Sequence, residues 1–293
     1  MKQPIVNLII PSYNAGKLWN RVLENIKIQS YPIAKKILID SSSNDNTVVL
    51  AEKFGFEVTK ISQNEFNHGL TRKLGVELTS SDCDLILFLT QDAVLTDKDA
   101  IKNLVKSFEI DSNIAIAYGR QLPNKKAAKV EKFMRSVNYP SESLLKTIDL
   151  KYELGIKTAL CSNSFASYKK SKLLEVGCFT ATNFGEDMLT AAKLLQNGNA
   201  VYYCAEAEVF HSHNNCLLTE FKRNYDIGRM HQNNQWLLEE FGSTKSEGKK
   251  LLVKAFKEFS LWTFVKFLIY CAVRYSGYLI GKRFFYKIFI SKK

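Results

Sequence analysis

The chain has 293 residues, 46% hydrophobic and 24% charged, a balance that belongs to an ordinary globular protein and excludes collagen, low-complexity disorder and a disulfide miniprotein. The net charge of +12 suggests nucleic acid at first sight. Residues 249–293, however, hold eleven Lys or Arg against Glu258 alone, a net of +10, which leaves +2 for residues 1–248. A near-neutral body without a recognisable nucleic-acid-binding module argues against a nucleic-acid partner.

Val6–Ile10 is a short apolar run ended by Pro11-Ser12-Tyr13-Asn14, so it is expected to be a buried strand stopped by a loop. Leu18–Gln29 has helical spacing. Lys36–Ile39 is a second strand, ending in Asp40 and a Ser/Asn/Asp loop. Thr47–Phe54 is expected to be a helix, Glu57–Ile61 a strand and Thr71–Leu78 a helix. Asp84–Leu89 is a strongly apolar strand that stops at Thr90-Gln91-Asp92. Asp97–Phe108 then predicts a helix and Ile114–Tyr118 another strand. This alternation implies an α/β fold with a mostly parallel sheet flanked by helices. Ligands of such sheets bind outside the carboxyl ends of the strands.

Residues 120–160 are more polar and less periodic, and a flexible acceptor-side segment is expected there, with a short helix at Val130–Val137. A compact stretch follows from Ser162 to Tyr168. Gly185-Glu186-Asp187 precedes a helix from Met188 to Leu195, a strand spans Ala200–Cys204, and Val209-Phe210-His211-Ser212-His213 closes the region.

The last 45 residues carry twelve of the 35 aromatics along with their basic charge. That composition suits a membrane surface. A spanning helix is disfavoured, because Lys266 and Arg274 interrupt Leu261–Gly281 and each central charge costs roughly 2.5–3.5 kcal/mol on insertion scales. Two short helices broken near Ser276-Gly277 are expected, lying on a bilayer or on the body of the protein. The six cysteines form no C-x-x-C pair, and Ile5–Ile10 is too short for a signal peptide. Reduced thiols in a cytosolic compartment are the expectation.

Several polar residues have two explanations each. Asp92 ends a strand at the ligand edge, where it is either a cap or a ligand for a hard cation. Asp187 follows Glu186 at a helix start, as a partner of the helix dipole or as a general base. His211 and His213 can join Asp92 in a mixed O/N site for Mg²⁺ or Mn²⁺. Asn67-His68-Gly69-Leu70-Thr71-Arg72 is either a capped helix start or a phosphate-binding turn.

Taken together, Ile9–Asn14, Ile39–Thr47, Phe66–Gly69 with Thr71-Arg72, Leu89–Ala93, Gly185–Met188 and Val209–His213 are far more specific than any one of them. In this order they resemble a family 2 glycosyltransferase of the GT-A fold, most closely the bacterial rhamnosyltransferases. Glu220–Gly228 and Tyr278–Arg283 resemble that subgroup too. The resemblance implies that Pro11, Ser12, Tyr13, Asn14 and Asp40 hold the nucleoside, with Asp40 accepting from the base. It implies that Asn67, His68, Gly69, Arg72 and Gln91 line the nucleotide-sugar site and that Arg72 faces the diphosphate. Asp92 would bind both the nucleotide-sugar and a divalent cation, Mg²⁺ or Mn²⁺, with His211 as a further metal contact. Asp187 would be the base and Glu186 an acceptor-side residue. Two departures stand out: Thr90 replaces the usual first aspartate of the metal motif, and the donor loop reads Gly69-Leu70-Thr71-Arg72-Lys73.

The expected division is a GT-A catalytic domain over 1–215, with a nucleotide-sugar half (1–120) and an acceptor half (121–215), followed by a helical, basic-aromatic extension over 216–293. The implied reaction is an inverting transfer, with dTDP-β-L-rhamnose as donor and a surface polysaccharide or lipid-linked acceptor. The alternatives are a UDP-sugar donor on the same fold, or a nonenzymatic partner subunit. The expected location is cytoplasmic, peripheral on an anionic membrane surface, and a homo-oligomer is left open.

Overall fold

The computed structural model describes residues 3–212, 216–242 and 245–290. The strands are β1 (Val6–Ser12), β2 (Lys35–Asp40), β3 (Glu57–Lys60), β4 (Leu85–Leu89), β5 (Val94–Leu95), β6 (Ile114–Leu122), β7 (Leu144–Lys146), β8 (Phe165–Lys169) and β9 (Ala200–Phe210). The helices are α1 (Trp19–Lys27), α2 (Thr47–Lys53), α3 (His68–Glu77), α4 (Ala100–Lys106), α5 (Lys129–Asn138), α6 (Lys151–Leu154), α7 (Lys170–Glu175), α8 (Glu186–Gln196), α9 (Leu217–Asn233), α10 (Gln235–Phe241), α11 (Lys245–Glu258) and α12 (Leu261–Ile290). The segment expected to be flexible contains α5, β7 and α6.

The chain forms two compact units. The first comprises Met1–Asn124, Tyr139–Ile148 and Ala159–His211. The second comprises Lys125–Asn138, Asp149–Thr158 and Ser212–Lys293.

One sheet organises the first unit, in the order β3-β2-β1-β4-β8-β6-β9-β5, with β7 also paired to β9. The pairs among β3, β2, β1 and β4 are parallel. β8 then enters antiparallel between β4 and β6, and β9 runs parallel to β6. Side chains alternate across this sheet. Leu8, Ile10 and Leu87 pack with Trp19, Val22, Leu23 and Ile26 of α1 and with Ile101 and Leu104 of α4. Ile9 and Phe88 point to the other face, where α3 lies close: a Cβ on Gly75 would meet Ile9 Cγ2 at 2.5 Å. With both faces covered, the strands read as continuous apolar runs, which is why they were visible in the sequence.

The second unit is helical. Phe133, Ala255 and Phe267 form its small core. α9 and α12 approach each other through glycines. A Cβ on Gly277 would lie 2.5 Å from the Phe221 carbonyl oxygen, and one on Gly281 2.1 Å from that of Tyr225. Between the helices runs a polar seam. Tyr270 donates to Glu220 Oε2 at 3.1 Å, and Arg274 Nη1 donates to the Tyr270 hydroxyl at 3.0 Å. The expected break near Ser276-Gly277 is thus corrected: α12 runs unbroken through it, and the interruption falls at Phe259-Ser260. Gly277 serves close approach between helices, and packing outweighs its cost of about 1 kcal/mol in a helix interior.

Candidate active site

The loops after β1, β2 and β4 meet at the carboxyl edge of the sheet, laced by side-chain bonds. The Gln91 amide clamps Tyr13 on both sides: Tyr13 N donates to Gln91 Oε1 at 2.8 Å, and Gln91 Nε2 donates to the Tyr13 carbonyl at 3.0 Å. Asn14 N donates to Ser43 Oγ, and Asn44 N to Asn14 Oδ1, each at 2.8 Å. Asn14 has φ +44°, a left-handed turn that asparagine tolerates. Pro11 is the penultimate residue of β1, paired with Ile39. The Tyr13 ring is left exposed at this edge.

Asp40, the expected contact to the base, ends β2. It is fully buried, and its carboxylate accepts from Ser12 Oγ at 3.0 Å, from Ser43 Oγ at 2.5 Å and from Ser43 N at 2.8 Å. In this arrangement it braces the loop.

The Asn67–Arg72 turn begins α3. Asn67 Oδ1 caps α3, accepting from Gly69 N and Leu70 N at 3.1 Å and also from Thr182 N at 3.0 Å. The Gly69 N–H lies 3.1 Å from the Thr182 carbonyl oxygen, and a Cβ on Gly69 would sit 1.9 Å from the Thr180 carbonyl oxygen. The amides expected to hold phosphate are therefore already engaged. Arg72 turns inward, 5% exposed. Its Nη1 lies 3.2 Å from Glu186 Oε1, 3.2 Å from His68 Nδ1 and 3.1 Å from the His68 carbonyl oxygen. Burial, then the Arg72 charge, holds the His68 imidazole below its ordinary value, so Nδ1 is free to accept.

Glu186 and Asp187 form the first turn of α8, after Gly185 in a left-handed conformation (φ +76°). Burial opposes ionisation of Glu186. The Arg72 charge foremost, with the Asn163 amide, outweighs it and holds the carboxyl below its ordinary value. Asp187 is only half-buried by its surface, yet dense protein surrounds it. That burial, then the Glu186 charge, pushes its carboxyl up to about 7. Asn163 serves both acids: its Nδ2 donates to Glu186 Oε1 at 3.0 Å, and its backbone N–H lies 3.3 Å from Asp187 Oδ2. Two neighbouring carboxyls with separated proton affinities match the division of labour found in acid–base sites.

Asp92 and His211 come together: His211 Nε2 lies 3.3 Å from Asp92 Oδ1. His213 lies outside the described residues. On its other side, His211 Nδ1 is 3.0 Å from Gln121 Oε1, while Gln121 Nε2 donates to Ser162 Oγ at 2.7 Å. The amide oxygen behind Nδ1 can accept a hydrogen bond from it, and Nε2 and the Asp92 carboxylate would then both be turned toward a cation placed between them. Two such donors toward one point suit a divalent cation, and the amide behind the ring is the outer support that metal-bound histidines use. Among the described residues no group of three or more His, Cys, Asp or Glu could hold a metal. A cation here would therefore take most of its ligands from a phosphorylated substrate and water, as Mg²⁺ commonly does.

Ser162-Asn163-Ser164 ties these pairs together. Ser162 meets Gln121, Asn163 meets both acids, and the Ser164 carbonyl accepts from Thr90 N at 3.3 Å. Sequence reasoning gave these three residues no role. They belong to no chemical motif, and the signal for them is only their position before β8.

Residues 7–177 match the family model for Glycosyl transferase family 2. The chain belongs to this family. It is 44% identical to the O-antigen chain rhamnosyltransferase RfbN of Salmonella typhimurium, over 94% of this chain and 89% of that protein. It is 38% identical to the O-antigen chain rhamnosyltransferase WbaN of Salmonella anatum, over 95% and 90%. Among solved structures it resembles the mannosyltransferase PcManGT from Pyrobaculum calidifontis in complex with GDP-Man and Mn²⁺, with a TM-score of 0.64, 15% identity, and coverage of 96% of this chain and 87% of that one. TarS 1-349 from S. aureus in complex with UDP-GlcNAc gives 0.58 at 13% identity, over 97% and 92%. These likenesses are of fold, and the fold is GT-A. As a family 2 member the protein is a glycosyltransferase.

Proposed function

We propose that the protein transfers L-rhamnose, with inversion, from dTDP-β-L-rhamnose to a growing surface polysaccharide or its lipid-linked precursor. The observation that carries the chemistry is Asp187: a half-buried carboxyl raised to about 7, beside a carboxylate held ionised by Arg72. A base of that proton affinity works near neutral pH. The likeness to the two Salmonella proteins supports the sugar and the acceptor class.

Asp187 accepts the proton of the acceptor hydroxyl as its oxygen bonds to the anomeric carbon. The bond from that carbon to the diphosphate breaks, and the nucleoside diphosphate leaves with the electron pair. The anomeric centre gains positive charge on the way, as in glycoside hydrolysis. Glu186 stays ionised and keeps Asp187 basic. Asp92 and His211 would hold a divalent cation, Mg²⁺ or Mn²⁺, whose chemistry is to neutralise charge on the departing diphosphate. Tyr13, exposed at the sheet edge, offers a ring for the nucleobase to stack on. The Asn67–Gly69 turn shapes the loop that borders the sugar.

The test is nucleotide release by the purified protein with Mg²⁺ or Mn²⁺, against dTDP-, UDP- and GDP-sugars and a lipid-extract acceptor. Release from dTDP-rhamnose alone is expected. Release from a UDP-sugar in its place removes the rhamnose assignment and leaves the base intact.

A further inference from the structure

α12 has two apolar faces, one packed in the core of its unit and one exposed. Its Tyr270, Arg274, Gly277 and Gly281 face α9. Phe267 is buried in the core of the unit, but Leu261, Trp262, Val265, Leu268, Ile269 and Tyr275 face outward and are all exposed, Trp262 by 78%. At 100° per residue these six fall on one side of the helix, and Ile280 extends the stripe to about 28 Å. A contiguous apolar strip of that length marks an interaction surface.

Along α12 its borders carry one sign of charge. Lys266 and Lys282 flank the stripe on opposite sides, and residues 261–290 contain no Asp or Glu. Just before it, α11 exposes Val253, Lys254, Phe256 and Lys257. None of the described helices is long and apolar enough to cross a membrane. Apolar residues along one face, with cations and exposed aromatics at its margin, suit a helix lying in the plane of a bilayer surface.

We propose that this outer face of α11 and α12 docks the protein flat on a lipid bilayer bearing anionic headgroups. A second copy of the chain is a poorer occupant, because joining two such faces brings together an excess of lysines over acids, with Glu258 of α11 already beside Lys254. A bilayer rich in phosphatidylglycerol supplies both the apolar interior and the opposite charge. The proposal rests on the second unit alone and is independent of the donor sugar.

The test is sedimentation of the full chain with vesicles of phosphatidylethanolamine and phosphatidylglycerol, set against phosphatidylcholine alone. Binding to the anionic vesicles is expected, weakening with added salt. Trp262 emission, read in a Trp236→Phe background where Trp19 stays buried, is expected to shift to the blue and to be quenched by brominated lipid. Lys254→Gln with Lys257→Gln and Lys266→Gln lowers the anionic partition by roughly a hundred-fold, at about five-fold per lysine. Trp262→Ala with Leu268→Asn and Ile269→Asn abolishes binding, with an unchanged circular-dichroism melt as the folding control. Wild-type-like sedimentation of both variants, or no vesicle binding by the wild type, overturns the proposal. So does a blue shift that grows with protein concentration without lipid and tracks a dimer in analytical ultracentrifugation, since a second copy then covers the face.

Discussion

The Tyr168 hydroxyl donates to Asn163 Oδ1 at 2.7 Å, and this bond decides which end of the Asn163 amide meets Glu186. Tyr168 is fully buried in β8, the strand at the centre of the sheet, so the orientation of the amide is set from the rigid part of the fold. Tyr168→Phe frees the amide to turn. Glu186 then loses a donor and gains a proton more readily, and its repulsion of Asp187 weakens. The expected result is an acid limb of the kcat profile displaced to lower pH, with a fall in kcat and a small change in KM for the donor. A role limited to packing would lower the melting temperature and leave the pH limb in place.

Asp187→Asn is expected to reduce turnover by about 10²–10⁴-fold, the usual worth of a general base, with donor binding retained in calorimetry. Its stability has a definite sign. The native carboxyl, raised to about 7, keeps a proton that the unfolded chain releases near its ordinary value of 3.8. The contribution of Asp187 to stability therefore falls as pH rises between those values and levels off above them. The variant lacks this fall. Its melting temperature should match the wild type near pH 4 and exceed it at pH 8, and equal melting curves at both pH values would remove the buried-base assignment.

Arg72→Met leaves Glu186 as a buried charge without its cation. Loss of one partner from such a pair costs about 3–5 kcal/mol. Urea denaturation of this variant should show a loss of that size, and lowering the pH to protonate Glu186 should recover part of it. An arginine that served only as a diphosphate ligand would instead raise donor KM with no change in the denaturation midpoint.

Gln121→Leu removes the support behind His211 without touching either candidate ligand. A fall in Mn²⁺ affinity of about 10–100-fold is expected, read by metal titration in the presence of nucleotide. Asp92→Ala should weaken the same titration further. If neither moves it, the cation binds elsewhere.

Gly281→Leu must push α9 and α12 apart, because its Cβ would fall 2.1 Å from the Tyr225 carbonyl oxygen. Overpacking of this kind costs about 1–3 kcal/mol. Gly248→Ala on α11 meets nothing within 4 Å and should be neutral or stabilising. Thermal melts of the two variants separate a packing glycine from an idle one.

Much of this was legible in the chain itself. Leu85–Leu89 and Ile37–Ile39 announce buried strands by continuous apolar runs, and the motif order announces the family. What stayed hidden depends on partners far away in sequence. Phe165-Ala166-Ser167-Tyr168-Lys169 has neither a run nor an alternation, so its place between β4 and β6 follows only from topology. Arg72 looks like a phosphate contact until Glu186, over a hundred residues later, takes its guanidinium. Asp40 looks exposed because its loop is polar, yet the serines of that loop are what cover it. Gly277 looks like a breaker because glycine weakens an isolated helix, and only the opposing Phe221 carbonyl reveals its use.

The insertion of β8 also bears on how the protein is made. β4 emerges from the ribosome some eighty residues before the strand that must lie beside it. Until Lys169 has been synthesised, the five buried apolar residues of β4 form an open edge, able to pair with the same edge of a neighbouring nascent chain. Fragments ending before Phe165 should accordingly aggregate during expression, and those extending past β9, which covers the β6 edge, should stay soluble. Translation rate through this stretch then becomes a determinant of yield.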